Sequence, residues 1–282
     1  MRSQRDKLRS WGLAVWSGLA VLYLFIPIFI VVLFSFNDNR GRFNFTWHGF
    51  TLRHWKDPFA NPDLGTALKN SLAIAGISTV IATALGTFMA LALVRYGFRG
   101  RGPADLFVFL PLATPEVVLG AALLALFLTM NVNTGFATIV IAHVMFNISY
   151  VVVTVKARLE GMDQHIEEAA QDLGAGVWTT FLRVTLPVIA PGVASAALLA
   201  AALSVDDYVI TSFNAGQTIT FPLFIYGAAR QGVPPEVNVL ATGLLVVVLI
   251  LLALNVALQR VRGRRDATAS AVPATVAAPA NA

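Results

Sequence analysis

The sequence predicts an all-α, polytopic membrane bundle of six transmembrane helices, and three observations carry that prediction. Of its 282 residues 57% are hydrophobic and only 12% charged, against roughly one-quarter charged in soluble domains. Residues 11–36 and 240–258 contain no charged side chain, and each run is long enough to cross about 30 Å of hydrocarbon. Four more apolar stretches, 67–94, 106–130, 136–155 and 189–213, lie between them. A buried soluble helix accounts for one such stretch but not for six in a chain of this length.

The first span follows a basic segment with Arg2, Arg5, Lys7 and Arg9. Its apolar run exceeds the roughly 7–15 residues of a signal-peptide core and no small-x-small site closes it, so it reads as a retained helix. Between the spans the cations are unevenly shared. Fourteen Lys and Arg lie in the N-terminus, the second and fourth loops and the tail, and six on the opposite side. This asymmetry predicts that both termini are cytoplasmic. The net charge of +5 thus serves orientation in the lipid bilayer, and no nucleic-acid partner is needed to explain it. Residues 1–66 comprise the N-terminal segment, first helix and outer loop, 67–258 the core, and 259–282 a tail of Ala, Thr, Val and Pro expected to be disordered.

Several chemistries are excluded. The chain has no Gly-x-x-x-x-Gly-Lys-Ser/Thr loop, so no P-loop phosphate cradle. His48, His54, His143 and His165 do not form a spaced metal set, and there are no cysteines for disulfides or thiolate sites. No catalytic residue, metal site or cofactor is expected in the chain, which leaves a transporter, a channel or a scaffold.

The connection at 156–190 is too elaborate for a linker. Asp163 can cap a short helix in which Ile166, Ala169, Ala170 and Leu173 form one apolar stripe at i, i+3, i+4 and i+7. Glu167, Gln171 and Asp172 lie on its other side, and Gly174 stands where a left-handed cap ends a helix. Interfacial membrane helices favour basic polar faces and bulky apolar ones. This acidic, alanine-seamed helix suits a protein groove.

Glu168-Ala169-Ala170, then Gly174, then Val184-Thr185-Leu186-Pro187 resembles the EAA loop of ABC importer permeases, with Val184 where Ile is usual. The resemblance spans roughly 67–258 and implies the type I ABC importer transmembrane fold. It further implies that the short helix enters a cleft of a separate ATPase subunit. Glu168 would make a polar contact there, Ala169 and Ala170 would allow close approach, Gly174 would supply the turn, and Leu186 and Pro187 would fix the return into the membrane.

Two spans carry acids at membrane depth, where each costs about 2.5–3.5 kcal/mol to insert and so tends to be functional. Glu116 follows Pro115 about ten residues from the cytoplasmic end, roughly 15 Å in at 1.5 Å per residue. Asp206 and Asp207 lie some 15 residues beyond Pro191, about 23 Å in. For Glu116, a cation path and interhelical polar glue, with Asn147 or His143 as donor, both stand open. Adjacent residues on a helix point about 100° apart, so one structural partner cannot serve both aspartates, and a path is favoured for the pair. Lys69 can snorkel at a helix end and is given no role.

The resemblance narrows at His143-Val144-x-Phe146, Ser204-Val205-Asp206-Asp207-Tyr208-Val209-Ile210, Phe221-Pro222-Leu223-x-Ile225-Tyr226 and Arg230-x-Gly232-Val233-x-Pro235-Glu236. These segments, with Pro115-Glu116-Val117-Val118, are similar to the second permease of spermidine/putrescine importers. The resemblance implies polyamine cargo on a path including Glu116, Asp206, Asp207 and Tyr208, with importers of other cationic amines, amino acids or opines as the alternative. It implies a second, homologous permease subunit, two ATPase subunits carrying ATP and Mg, and an extracytoplasmic binding protein. The outer loop 37–66, with Trp47, Phe50 and Trp55, and the segment 216–238 are candidates to touch that binding protein, although interfacial anchoring suits the two tryptophans. An ion-gradient transporter or channel would need no acidic cytoplasmic helix, and a scaffold no carboxylates in its spans.

Overall fold

The computed structural model describes residues 4–39, 41, 43–250 and 253, with side chains from residue 11 onward. Among the described residues there is no β-sheet, only an isolated bridge between Asn37 and Phe50. The chain groups into two compact units, one of Asn61–Gln231 and one of the described residues on either side of it.

In the flanking unit, α1 (Gln4–Phe34) is a single long apolar helix whose residues 11–30 are all exposed. In water such a surface would aggregate, so lipid or another protein is its solvent. The following loop is organised by the buried Asn37. Its amide donates to Asn44 Oδ1 and the Thr46 carbonyl, both at 2.7 Å, and its oxygen accepts from the His48 amide at 2.7 Å. Phe36 stacks on Phe50 and Trp55, and Trp47 meets Phe34 edge-on. A short helix α2 (Arg53–Lys56) brings His54 Nδ1 within 3.0 Å of Glu236 Oε1.

The central unit is built on three long helices. Helix α3 (Pro62–Arg95) starts under an Asn61 cap and carries Pro62 in its first turn, where the missing N–H costs nothing. Helices α4 (Arg101–Ala113) and α5 (Glu116–Thr129) are the expected third span, bent by 109° at Thr114 and Pro115. The sequence predicts a single helix over 106–130. Pro115 cannot donate to the carbonyl of Pro111, so the helix breaks there. Helix α6 (Phe136–Glu160) runs five residues past the expected end at 155.

After α7 (His165–Asp172) the chain re-enters through α8 (Val177–Thr180), a π-helical turn (Phe181–Thr185) and α9 (Leu186–Asp206), continuous enough to act as one apolar helix of 30 residues. The π turn directly precedes α9, whose second residue, Pro187, lacks the N–H for a regular i→i−4 bond. The expected fifth span, 189–213, is interrupted. It stops at Asp206 and resumes as α10 (Val209–Asn214). Helix α11 (Phe221–Gln231) completes the central unit, and α12 (Pro235–Ile250) belongs to the flanking one. The described residues therefore contain four helices able to cross a membrane and a fifth, broken span. The sixth was expected at 240–258. Its last residues, and the tail at 259–282, lie outside the described part.

Helices α3, α6 and α9 share the largest core, with Ala90, Val151, Val155, Ile189 and Ala196 buried. Small side chains allow this closeness without a strong hydrophobic drive between helices in lipid. At Gly120 a Cβ would lie 2.7 Å from the Phe213 ring, so only glycine lets α5 seat on α10.

Candidate functional site

Helix α7 begins where Asp163 Oδ1 accepts from the His165 amide at 3.0 Å and lies 2.7 Å from His165 Nδ1. The hydrogen bond from His165 holds the Asp163 carboxyl below its usual range. The same bond, with the charges of Asp163 and Glu168, pushes the His165 imidazole up. The helix ends as the sequence implies. Gly174 has φ +86°, its amide donates to the Gln171 carbonyl at 2.8 Å, and the Ala175 amide donates to that of Ala170 at 3.0 Å. This is the Schellman closure, whose left-handed residue is cheapest as glycine.

The described residues do not cover the apolar stripe of α7. Leu173 is 90% exposed and Ile166 46%, Glu168 and Ala169 are exposed, and no α7 residue is buried. Behind the helix lies a cavity of about 370 Å³, walled by Phe88, Tyr96, Trp178 and Phe181 with Arg95 and Glu167. Leu186 packs against the main core and Pro187 sits exposed in the first turn of α9.

The four candidate path residues fall into different surroundings. Glu116 is the first residue of α5, exposed at the break, where a carboxylate complements the helix N-terminus. Below the break, Lys156 Nζ near the end of α6 meets Asp105 of α4 at 2.7 Å. Above it, Leu119 of α5 and Tyr150 of α6 both pack against a cluster of Leu123, Phe127, Ala142, Phe146 and Ile210. The break is thus level with the middle of α6. Asp206 is exposed at the end of α9. Asp207 is turned inward and caps α10. Its Oδ2 accepts from the Thr211 amide at 2.7 Å and hydroxyl at 2.6 Å, and lies 3.2 Å from His143 Nε2. His143 Nδ1 is 2.6 Å from Ser204 Oγ, which is 3.1 Å from Ser78 Oγ. The structure therefore separates the aspartate pair, with one partner set on Asp207 and an open Asp206. Tyr208 is half-buried with its ring 4.5 Å from that of Tyr226, over which Arg230 lies at 4.8 Å. Asn147 is fully buried, with no hydrogen-bond partner among the described residues. Sequence reasoning gave no role to Ser78, Ser204 or Thr211, whose hydroxyls become informative only once α3, α6, α9 and α10 converge.

Residues 82–266 match the family model of the binding-protein-dependent transport system inner membrane component. The chain is 40% identical over 230 residues to the spermidine/putrescine transport system permease protein PotC of Escherichia coli K12, covering 81% of this chain and 86% of that one. It is 38% identical over 232 residues to the putrescine transport system permease protein PotI of the same strain, covering 79% and 82%. Among solved structures, a bacterial ABC transporter involved in import of the acidic polysaccharide alginate superposes with a TM-score of 0.66 at 18% identity, over 92% of this chain and 98% of that one. The MetNI methionine ABC transporter superposes at 0.54 and 18% identity, over 74% and 98%. The likeness to these structures establishes the all-α fold of ABC importer transmembrane subunits.

Proposed function

The chain belongs to the family of binding-protein-dependent transport system inner membrane components, and from that premise we propose that it forms half of the path by which an ATP-driven importer carries spermidine or putrescine across the inner membrane. The uncovered apolar stripe of α7 carries the importer reading. A helix whose Ile166 and Leu173 stay open to water while its end is closed by a Schellman turn is shaped to be received by another protein. The receiver is a separate ATPase subunit, which holds ATP and Mg. Glu168 makes a polar contact there, Ala169 and Ala170 let the backbones approach, and Gly174 sets the exit angle. Leu186 and Pro187 carry displacement into α9. Two such ATPases, a second homologous permease and an extracytoplasmic binding protein complete the assembly. Both termini lie in the cytoplasm.

The polyamine cargo is supported by the names of the relatives and by the chemistry of the path. Non-helical backbone at membrane depth is tolerated where protein or water covers it, not lipid. The exposed break at Thr114–Pro115 with Glu116 therefore faces either the second permease or a water-filled path. Glu116, Asp206 and Tyr208 line that path, where carboxylates lower the energy of a multiply charged ammonium chain. Asp207 braces the interruption between α9 and α10 beside them.

The test is ATP hydrolysis by the chain reconstituted in lipid with its ATPase and permease partners, with and without binding protein loaded with spermidine or putrescine. Stimulation by the loaded protein is expected. An intact complex that responds only to another ligand would remove the polyamine assignment, and failure to recruit any ATPase would remove the importer reading.

A further inference from the structure

Glu167 joins three elements that the sequence keeps far apart. Arg95 ends α3, Glu167 lies in the first turn of α7, and Thr185 closes the π-helical turn before α9. Arg95 Nε is 2.9 Å from Glu167 Oε2. Thr185 Oγ1 donates to Glu167 Oε1 at 2.6 Å. The Arg95 and Glu167 side chains are 11% and 15% exposed, whereas the adjacent Glu168 is exposed. The two glutamates are therefore not equivalent. One faces out from the protomer, and the other is spent inward with both carboxylate oxygens engaged.

That inward contact matters because little else holds α7. None of its residues is buried, so apolar packing fixes its orientation only weakly. The Arg95 contact is an ion pair without hydrogen-bond geometry, and shielding from water leaves it less screened than a surface pair; the Thr185 hydroxyl supplies the directional bond. The two helices reached through Glu167 also meet again deep in the core, where Ser78 of α3 lies 3.1 Å from Ser204 of α9. Ser204 in turn touches His143, which braces Asp207.

We propose that Arg95, Glu167 and Thr185 are positioning residues that tie α7 to both α3 and α9, so that a displacement imposed on α7 by the ATPase moves the two spans as one body. The assignment rests on reading the chain as an importer permease. Arg95 and Glu167 do not touch cargo or nucleotide. They decide whether hydrolysis is converted into movement of the path.

The experiment uses the complete transporter in lipid. Since the chain has no cysteine, spin labels can be placed at Gly97→Cys, just beyond α3, and His165→Cys, at the start of α7. The distance between them is measured with and without ATP, alongside ATP hydrolysed per cargo molecule imported. In the otherwise native chain the distance should stay single and narrow in both conditions. Glu167→Gln and Arg95→Gln should at least double its width and raise ATP consumed per import event at least fivefold. The exchange Arg95→Glu with Glu167→Arg should restore both, which a merely structural loss would not allow. If a single variant fails to assemble, the near-isosteric Thr185→Val removes one tie and is held to the same criteria. Single variants with native width and native coupling, or an exchange that restores neither, would overturn the tether. A wrong cargo assignment shows itself separately, as absent import in the unsubstituted transporter, while the spin-label distances still decide the tether.

Discussion

His143 Nε2 and Asp207 Oδ2 lie 3.2 Å apart, with side chains only 4% and 7% exposed, and they join the middle helix of the bundle to the interruption between α9 and α10. A carboxylate so enclosed is tolerable only when paired and hydrogen-bonded. The Thr211 amide and hydroxyl and the Ile210 amide supply the remaining bonds to it. Asp206, one residue earlier, is exposed.

The two neighbouring carboxylates should therefore differ in what they contribute, Asp207 to stability and Asp206 to uptake. His143→Ala leaves Asp207 enclosed without its ring partner and should destabilise the chain by about 1–3 kcal/mol, seen as a lower unfolding temperature in detergent. Asp206→Asn should leave that temperature unchanged and reduce cargo uptake. Equal effects on stability would dissolve the distinction.

At the broken span, Glu116→Gln should lower uptake several-fold with the complex still assembled, because the substitution keeps size and removes charge at an exposed site. Uptake measured across a range of cargo concentrations checks it. Unchanged kinetics would leave Glu116 as a helix-terminal charge only.

Gly174 holds φ +86° with no atom near its would-be Cβ, so a substitution there acts on backbone conformation and not on packing. Gly174→Val should cost about 1–2 kcal/mol locally, re-aim the end of α7 and lower the amount of ATPase that co-purifies. Gly174→Asn, which tolerates the left-handed region better, should lose less.

The exposed Asp163–His165 pair predicts a modest pH dependence at the start of α7. The His165 pKa is raised above its ordinary 6.5, so its contribution is full below about that pH and is lost as pH rises through the higher folded value. The Asp163 pKa is lowered below 3.8, so its contribution is full above about 3.8 and lost as pH falls below it. Hydrogen exchange of the first α7 amides, corrected for intrinsic rates, should be slowest between these limits and should speed up as pH rises through the higher His165 value. His165→Gln should remove that upper limb.

Hydropathy marked out the spans, the distribution of Lys and Arg the sidedness expected of the loops, and capping and motif spacing the EAA segment, because length, charge and capping chemistry are local properties written residue by residue. Gly174 is the clearest case. Its left-handed cap could be read from its place after an amphipathic turn, and the structure has it there. The two interruptions were less legible. Pro115 carried a signal for the first, but nothing local marks the stop at Asp206, where the aspartate next to it gains more from His143 and Thr211 than a continued helix would offer. The division of labour within two acidic pairs, Asp206 with Asp207 and Glu167 with Glu168, was invisible for the same reason. Each pair is two identical side chains in sequence, and only the helices brought alongside by folding supply a partner to one member and leave the other open.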